Sequence, residues 1–69
     1  MTEQNLEMWR RKTVENRIGM KRSTIYDMMA AGEFPRPFKL SANTVAWRSD
    51  EVLAWMETRE RAEGARETI

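Results

Sequence analysis

The sequence predicts a mainly α-helical domain with a small β-hairpin, in the order helix, turn, helix, hairpin and helix. Two observations lead to this fold class. Gly19 and Gly32 each close a short amphipathic segment, and a segment with two prolines precedes two apolar runs of strand length. The chain has 69 residues, and chains of this size bury only ~60% of the surface that they expose when unfolded. We therefore expect one domain with a small core, built from the three Trp, two Phe and six Met residues.

The first helix is predicted to be short, about two turns long. Thr13 is a suitable N-cap, because its hydroxyl can accept a hydrogen bond from an unpaired backbone N–H of the first turn. Val14 and Ile18 supply the apolar residues of this helix. Gly19 is the residue type expected just after a helix ends.

The second helix carries an apolar stripe of Ile25, Met28 and Met29, whose i, i+3, i+4 spacing turns all three toward a core. Gly32 is predicted to end this helix. The opposite stripe faces away from the core, where a ligand would be met, and consists of Ser23, Tyr26, Asp27 and Ala30.

The segment from Phe34 to Phe38 cannot be helical, because two prolines remove backbone donors and favour extended geometry in the residues before them. Residues 38–40 and 45–47 are short runs of alternating apolar character, and the polar connector 41–44 has the length of a hairpin loop. Together these runs predict a two-stranded wing.

The last helix is predicted to start with Ser49 as its N-cap, followed by Asp50 and Glu51 at the positive end of the helix dipole. The expected organisation is a flexible N-terminus over residues 1–7, one folded domain over 8–62 and a flexible tail over 63–69. The inner stripe of the last helix consists of Val52, Trp55, Met56 and Arg59.

Most large aromatic residues are expected in the core. Trp47 lies in an apolar strand run and Trp55 on an amphipathic stripe, which favours packing over stacking on nucleic-acid bases. Phe34 and Phe38, which flank the prolines, are expected as core anchors. Trp9 has polar and basic neighbours, so it could cover the open edge of the core or face a partner.

Composition excludes several kinds of chemistry. The chain has no Cys and no His, which removes disulfides, thiol catalysis, the usual zinc fingers and histidine acid–base catalysis. Carboxylate pairs such as Asp50 with Glu51 lie on an exposed helix face with nothing to desolvate them, so we predict no enzyme activity, cofactor, metal or small-molecule substrate. No apolar run approaches the ~20 residues of a membrane helix, and the acidic start is not a signal peptide. We therefore expect a cytoplasmic protein that does not bind membranes.

Charge is distributed unevenly, although the net charge is only +1. Residues 10–48 hold nine Lys or Arg against three acids, a local charge of +6. Residues 49–69 hold three Arg against six acids, a local charge of −3. The middle of the chain is therefore the part that would face a polyanion, which favours double-stranded DNA as the partner.

Three blocks in this order, covering residues 8–58, resemble one family closely. They are Gly19 to Tyr26 (GMKRSTIY), Gly32 to Pro37 (GEFPRP) and Val45 to Arg48 (VAWR). The chain is similar to the AlpA-type regulators of prophages and related mobile elements, within the excisionase-like and MerR-like winged helix-turn-helix domains. The resemblance implies a protein that binds DNA near attachment sites or integrase promoters, as transcriptional activator, excisionase or both.

The same resemblance implies that the second helix enters the major groove while the wing rests on the adjacent backbone or minor groove. The sequence also departs from the family pattern. Family members often have Ser where this chain has Lys21, a basic residue where it has Asp27, and Arg where it has Asn43. The fold can therefore be carried over from the family, but the base preference cannot.

The candidate DNA-reading residues of the second helix are Lys21, Arg22, Ser23, Thr24, Tyr26 and Asp27. Arg22 can donate two hydrogen bonds to guanine, worth about 1–3 kcal/mol of discrimination, or it can clamp a phosphate. Ser23 and Thr24 can cap the helix or donate to phosphate, and the hydroxyl of Tyr26 can bond a phosphate unless the ring is simply half-buried. Asp27 can accept from cytosine, but we favour a capping box with Thr24.

Further candidate contacts lie outside the second helix. We expect them to position the domain on DNA rather than to read sequence, although some could be solvated surface. Charge ahead of and along the first helix comes from Arg10, Arg11, Lys12 and Arg17, of which Lys12 and Arg17 are the candidate backbone contacts. In the wing and its flanks the candidates are Arg36, Lys39, Ser41, Asn43, Thr44 and Arg48.

These inferences lead to one main hypothesis and two alternatives. The main hypothesis is a sequence-preferring double-stranded DNA binder that regulates integrase expression or shapes an excision complex, cooperating with itself on repeated sites and with integrase or RNA polymerase. One alternative is the DNA-recognition domain of a phage packaging or replication protein. The other is a protein-interaction module that binds a polymerase subunit or a repressor.

Overall fold

The computed structural model describes residues 6–62 and shows the predicted winged helix-turn-helix order. Residues 1–5 of the expected flexible N-terminus, and the whole of the expected tail 63–69, lie outside the described residues. The elements are β1 (Met8–Trp9), α1 (Arg11–Ile18), α2 (Arg22–Ala30), β2 (Phe38–Ser41), β3 (Thr44–Arg48) and α3 (Ser49–Glu57).

The sheet has three strands instead of the two that the sequence predicts. Its order is β1-β3-β2, with both pairs antiparallel, so β3 is the central strand. In the unpredicted pair Met8 lies opposite Arg48 and Trp9 opposite Trp47. This pairing ties the chain ahead of the first helix to the base of the wing, and it buries Trp9 to 7% exposure at the edge of the core.

The expectation that Ser49 caps the last helix is wrong. α3 begins at Ser49 itself, after Arg48, and no side chain caps it. The Ser49 hydroxyl instead accepts a hydrogen bond from the Glu7 backbone N–H at 2.8 Å, and the Ser49 N–H donates to the Glu7 carbonyl at 2.8 Å. The buried serine thus extends the β1–β3 pairing by one residue, and this includes Glu7, which the sequence assigned to the flexible N-terminus.

The two other predicted caps are also wrong, because both helices begin earlier in the chain. α1 starts at Arg11, after Arg10 at the N-cap position, and this places Thr13 inside the first turn. α2 starts at Arg22 after Lys21, so Thr24 is already its third residue and cannot form a capping box with Asp27. Neither N-terminus has a side-chain cap.

The predicted helix ends are confirmed. Gly19 follows α1 in the left-handed region at φ 70°, and its N–H donates to the Glu15 carbonyl at 2.8 Å. Gly32 also has a positive φ of 75°, two residues after α2 ends. Glycine enters this region without the penalty that a Cβ imposes. The turn between the two helices is therefore only three residues long, from Gly19 to Lys21.

The wing turns more tightly than the connector 41–44 implies. Ser41 and Thr44 pair with each other, which leaves Ala42 and Asn43 as the turn. Neither of these residues has a positive φ, so the turn is not the type I′ form that suits a two-residue hairpin loop. The register shifts between Lys39 and Ser41, and this bulge at Leu40 takes up the mismatch.

The core lies between the sheet and the three helices. Its centre is Trp47, which is fully buried and donates from Nε1 to the Pro35 carbonyl at 2.8 Å. Phe34 packs edge-on against Trp47 and Trp55, with ring centroids 6.4 and 4.8 Å apart. The predicted apolar stripe of α2 is confirmed, since Ile25 is fully buried and the partly buried Met28 and Met29 pack against the core cluster. The buried cluster consists of Trp9, Val14, Ile25, Phe34, Trp47 and Val52.

Two residues assigned to the core are exposed. Phe38 is 44% exposed, because its cross-strand partner is Ala46 and it therefore shares the sheet face opposite to Trp47. Met56 is 37% exposed on α3. Arg59 lies beyond the end of α3, but its guanidinium still sits 4.6 Å from the centre of the Trp55 ring, as the predicted inner stripe requires.

Candidate nucleic-acid interface

A cleft of about 200 Å³ lies where α1, α2 and the wing meet, and we call it the basic cleft. Three cations come from the start of α1, an aromatic hydroxyl comes from α2, and polar side chains come from the wing tip. Such a surface offers hydrogen-bond donors and positive charge, which are the features that bind phosphate oxygens. The lining residues are Arg10, Arg11, Lys12, Tyr26, Asn43, Thr44 and Val45.

The β1–β3 pairing builds the basic cleft. Because Trp9 is held opposite Trp47, the next residues of the chain run along the wing toward its tip, where Asn43 and Thr44 lie. α1 then starts at once, so Arg11 and Lys12 occupy its first turn beside the wing. Arg11 is 2.9 Å from Glu15 in an ion pair one helical turn away. Neither of the two ion pairs found within residues 6–62 involves Arg10 or Lys12.

The outward face of α2 is open to solvent, as the sequence predicts. Tyr26 is the half-buried member, and it joins this face to the basic cleft. The guanidinium of Arg22 sits 5.5 Å from the centre of the Tyr26 ring, one turn earlier on the helix. This contact places the positive charge of Arg22 beside Tyr26, which itself lines the basic cleft. The exposed residues of α2 and of its N-cap position are Lys21, Arg22, Ser23, Thr24, Asp27 and Ala30.

Arg17 is engaged within the domain. Its guanidinium lies 4.8 Å from the centre of the Trp9 ring, and the indole N–H of Trp9 donates to the Glu7 carboxylate at 2.6 Å. The structure therefore places Trp9 at the core edge, one of the two locations that the sequence allows. Arg17 covers the outer side of that ring and does not line the basic cleft.

Arg48 and Arg36 are not brought into the basic cleft. Arg48 is four residues along β3 from Thr44, a distance of about 13 Å at ~3.3 Å per residue. Its Nε and Nη2 donate to the two carboxylate oxygens of Asp50 at 3.0 and 2.9 Å. These hydrogen bonds lower the pKa of Asp50 and raise that of Arg48. Arg36 is exposed in the loop beside Pro35, whose carbonyl accepts from Trp47 at the base of the wing.

The wing tip carries both polar and apolar groups. Lys39, Ser41 and Asn43 are exposed and Thr44 is half-buried. Sequence reasoning missed Leu40 and Val45 at this end of the wing, because they read only as strand residues. The run Phe38-Lys39-Leu40 contains the pattern that identifies Leu40 as a candidate surface residue, because it puts two large apolar residues on an edge strand. All four residues of β2 are exposed.

Residues 6–62 hold no cluster of three or more acidic, histidine or cysteine residues arranged to bind a metal ion. Nor does any helix in this range combine the length and apolar character needed to cross a bilayer.

An exposed basic surface formed by the second helix of a helix-turn-helix and by an adjoining wing defines a winged helix-turn-helix DNA-binding regulator. The family described as "Prophage CP4-57 regulatory protein (AlpA)" matches residues 7–60. The chain belongs to this AlpA family of prophage regulatory proteins.

A relative from a phage is also similar in sequence. It is "Uncharacterized protein ORF88" of Enterobacteria phage P4, which is 49% identical over 41 residues. The alignment covers 59% of this chain and 47% of the relative, so the chain matches only about half of that protein's length. No solved structure gives a significant match.

Proposed function

We propose that this protein is a sequence-preferring double-stranded DNA binder that acts on a phage or mobile element, as an activator of integrase expression, as an excisionase-type architectural factor, or as both. The observation that carries the proposal is the basic cleft, where cations of α1, Tyr26 of α2 and the wing tip share one surface. Protein surfaces of this kind bind DNA through its phosphates and need no further cofactor.

In the proposed complex α2 enters the major groove. Arg22, at the first position of α2, reaches a guanine or a neighbouring phosphate, while Ser23 and Thr24 donate to the backbone. Asp27 is one turn further along and exposed, so it can accept a hydrogen bond from a cytosine amino group. Lys21, at the N-cap position, contacts a phosphate through the positive charge of its ammonium group.

The basic cleft holds the DNA backbone beside that groove. Lys12 and Tyr26 supply an ammonium and a hydroxyl, and Asn43 and Thr44 supply polar groups from the wing. Lys39 and Ser41 add contacts along β2, where the wing lies over the backbone or the minor groove. Arg17, Arg36 and Arg48 contribute to the positive field from outside the cleft.

We further propose that the protein works in the cytoplasm and cooperates with other copies on repeated or paired sites, because one module of this size makes few contacts. Integrase and RNA polymerase are the candidate protein partners, and they correspond to the excision and activation roles. The description of the matching family as prophage regulatory proteins supports a regulatory role, and the phage origin of the matching relative is consistent with it.

The primary test is selection of bound fragments from random DNA and from host DNA at physiological salt, with the purified chain. We expect a consensus sequence to emerge. Regularly spaced repeats would support cooperative assembly in excision, while a single site next to a promoter would support activation. Recovery of unenriched DNA would contradict sequence preference.

Charge reversal then locates the interface. In the double variant Arg22→Glu/Lys39→Glu we expect DNA retention to be lost. The matched control is Arg59→Glu/Arg61→Glu, which makes the same change of net charge beyond the end of α3 and should retain DNA. Loss of binding in both variants would show a nonspecific charge effect. If the first variant keeps DNA but loses a protein partner, the interaction-module alternative is correct.

A further inference from the structure

The residue at the bulge of the wing, Leu40, has no explanation in the fold. Cross-strand partners are assigned to Lys39 and Ser41 on either side of it, whereas Leu40 falls at the register shift between them. Its side chain is 50% exposed, the largest exposed fraction among the large hydrophobic residues of the described chain. The fold therefore gains little from an apolar residue at this position.

The surroundings of Leu40 are those of a DNA contact. Lys39 and Ser41 adjoin it in the chain, while Asn43 in the turn and Thr44 across the turn both line the basic cleft. Leu53 on α3 is equally exposed at 49%, but it shares its surface with Asp50 and Glu57, which repel phosphate. The charged neighbours of the two leucines therefore differ, and only those of Leu40 attract a polyanion.

We propose that Leu40 is an apolar wedge that enters the minor groove and partly unstacks one base step, so that the protein bends its DNA. This inference rests on the proposed function and gives it a mechanical activity. Burying the exposed half of Leu40 against the bases removes apolar surface from water, and this offsets part of the cost of unstacking a base step. Basic and polar neighbours hold the backbone on either side of the inserted residue.

The position on the hairpin suits this role. Leu40 is two residues before the turn, at the end of the wing that is nearest the basic cleft. While α2 and the cleft hold the major groove and the backbone, the wing tip can reach the next minor groove. The register shift at Leu40 also bends the strand locally, and a bulge of this kind can re-aim a side chain away from the regular sheet face.

The test uses the full chain and a duplex of about 30 bp that carries the selected site, labelled at both ends for energy transfer. We expect the wild-type protein to bend this duplex by an angle between about 20° and 90°. Leu40→Ala should lose most of the bend and bind the intact duplex about tenfold more weakly, because the contacts that the bend permits are lost with it. Leu40→Met keeps an apolar side chain and should bend DNA like the wild type.

Two controls separate the wedge from a general loss of binding. Leu53→Ala removes an equally exposed leucine from the acidic face and should leave bend and affinity unchanged. A duplex with unpaired nucleotides at the site is already kinked, and Leu40→Ala should bind it nearly as well as wild type. 2-Aminopurine at the target step should brighten with the wild type and stay quenched with Leu40→Ala.

Several results would overturn the proposal. Equal bending by wild type and Leu40→Ala would show that the leucine is not the wedge, although DNA binding would stand. Equal weakening on intact and kinked duplexes would show that Leu40 only adds affinity. If wild type selects no DNA at all, the proposed function itself fails, and the wedge fails with it.

Discussion

At the scale of single residues, backbone conformation and side-chain partners distinguish structural positions from the cations that line the basic cleft without an ion-pair partner in the described chain. Gly19 has a conformation that other residues rarely adopt. Arg17 and Arg48 are cations, but each already contacts a partner, Trp9 and Asp50 respectively. Lys12 and Arg10 line the basic cleft without an ion-pair partner among residues 6–62. Charge alone therefore does not identify a DNA contact.

Replacing Gly19 by alanine tests the helix-turn-helix turn. A Cβ at this position would meet no atom within 4 Å, so the cost arises from φ +70° alone. We expect Gly19→Ala to lower the free energy of unfolding by about 1 kcal/mol, measured by urea denaturation. Gly19→Asn should cost less, because Asn tolerates the left-handed region better. Equal stability of the alanine variant and wild type would contradict the turn geometry.

Single alanine variants separate cleft cations from distant ones. Lys12→Ala should reduce the slope of log affinity against log salt by about 0.9, the contribution of one neutralised phosphate. Arg48→Ala should leave that slope unchanged, because Arg48 bonds Asp50 about 13 Å from the wing tip. Fluorescence anisotropy over a salt series measures both. The reverse pattern would place the DNA at the other end of β3.

Acid should weaken the pair of Arg48 and Asp50. Because Arg48 lowers the pKa of Asp50, the pair stabilises the fold above the ordinary aspartate pKa, and this contribution is lost as the pH falls through the lowered value. Asp50→Asn should therefore be slightly less stable than wild type at neutral pH, with the difference vanishing in acid. Thermal unfolding across a pH series measures this. A difference that persists in acid would assign another role to Asp50.

At the scale of elements, strand pairing determines where the helices begin. α3 starts directly after β3, α1 starts one residue after the end of β1, and none of the three described helices has a side-chain cap. The threonines and the serine that the sequence offers as caps therefore lie inside helices. Ser49 acts on the sheet instead, through its two hydrogen bonds with Glu7.

Removing the Ser49 hydroxyl should loosen the start of β1. Ser49→Ala takes away the acceptor of the Glu7 N–H, and we expect a loss of about 1 kcal/mol in unfolding free energy together with faster amide exchange at Glu7. Urea denaturation and hydrogen exchange report the two effects. Ser49→Thr keeps an acceptor and is the control. Unchanged exchange at Glu7 in the alanine variant would show that the hydroxyl does not hold this segment.

The sequence was sufficient to predict the helices, their glycine ends and the wing, because each leaves a pattern of apolar spacing or turn residues. It could not predict β1, since a two-residue strand has no periodicity and is held by backbone hydrogen bonds. The basic cleft depends on that strand, which brings Arg10 beside the wing. The candidate residues could thus be named from their chemistry, whereas their grouping required the register of β1 against β3.

At the scale of the whole molecule, positive and negative charge occupy different regions. The cations of the basic cleft and of α2 lie on the side that carries the wing tip. α3 presents Asp50 and Glu57 around Leu53 on its exposed face. A domain charged in this way should bind DNA in one orientation, with the α3 face turned away from the phosphates.

We propose that this chain binds DNA through its phosphates as well as through base contacts. The most direct measurement is the affinity of the wild-type chain for its selected duplex over a range of salt concentrations. If about six phosphates are neutralised, log affinity should fall against log salt with a slope near −5, at about −0.9 per phosphate. A slope near zero would contradict binding through the DNA phosphates.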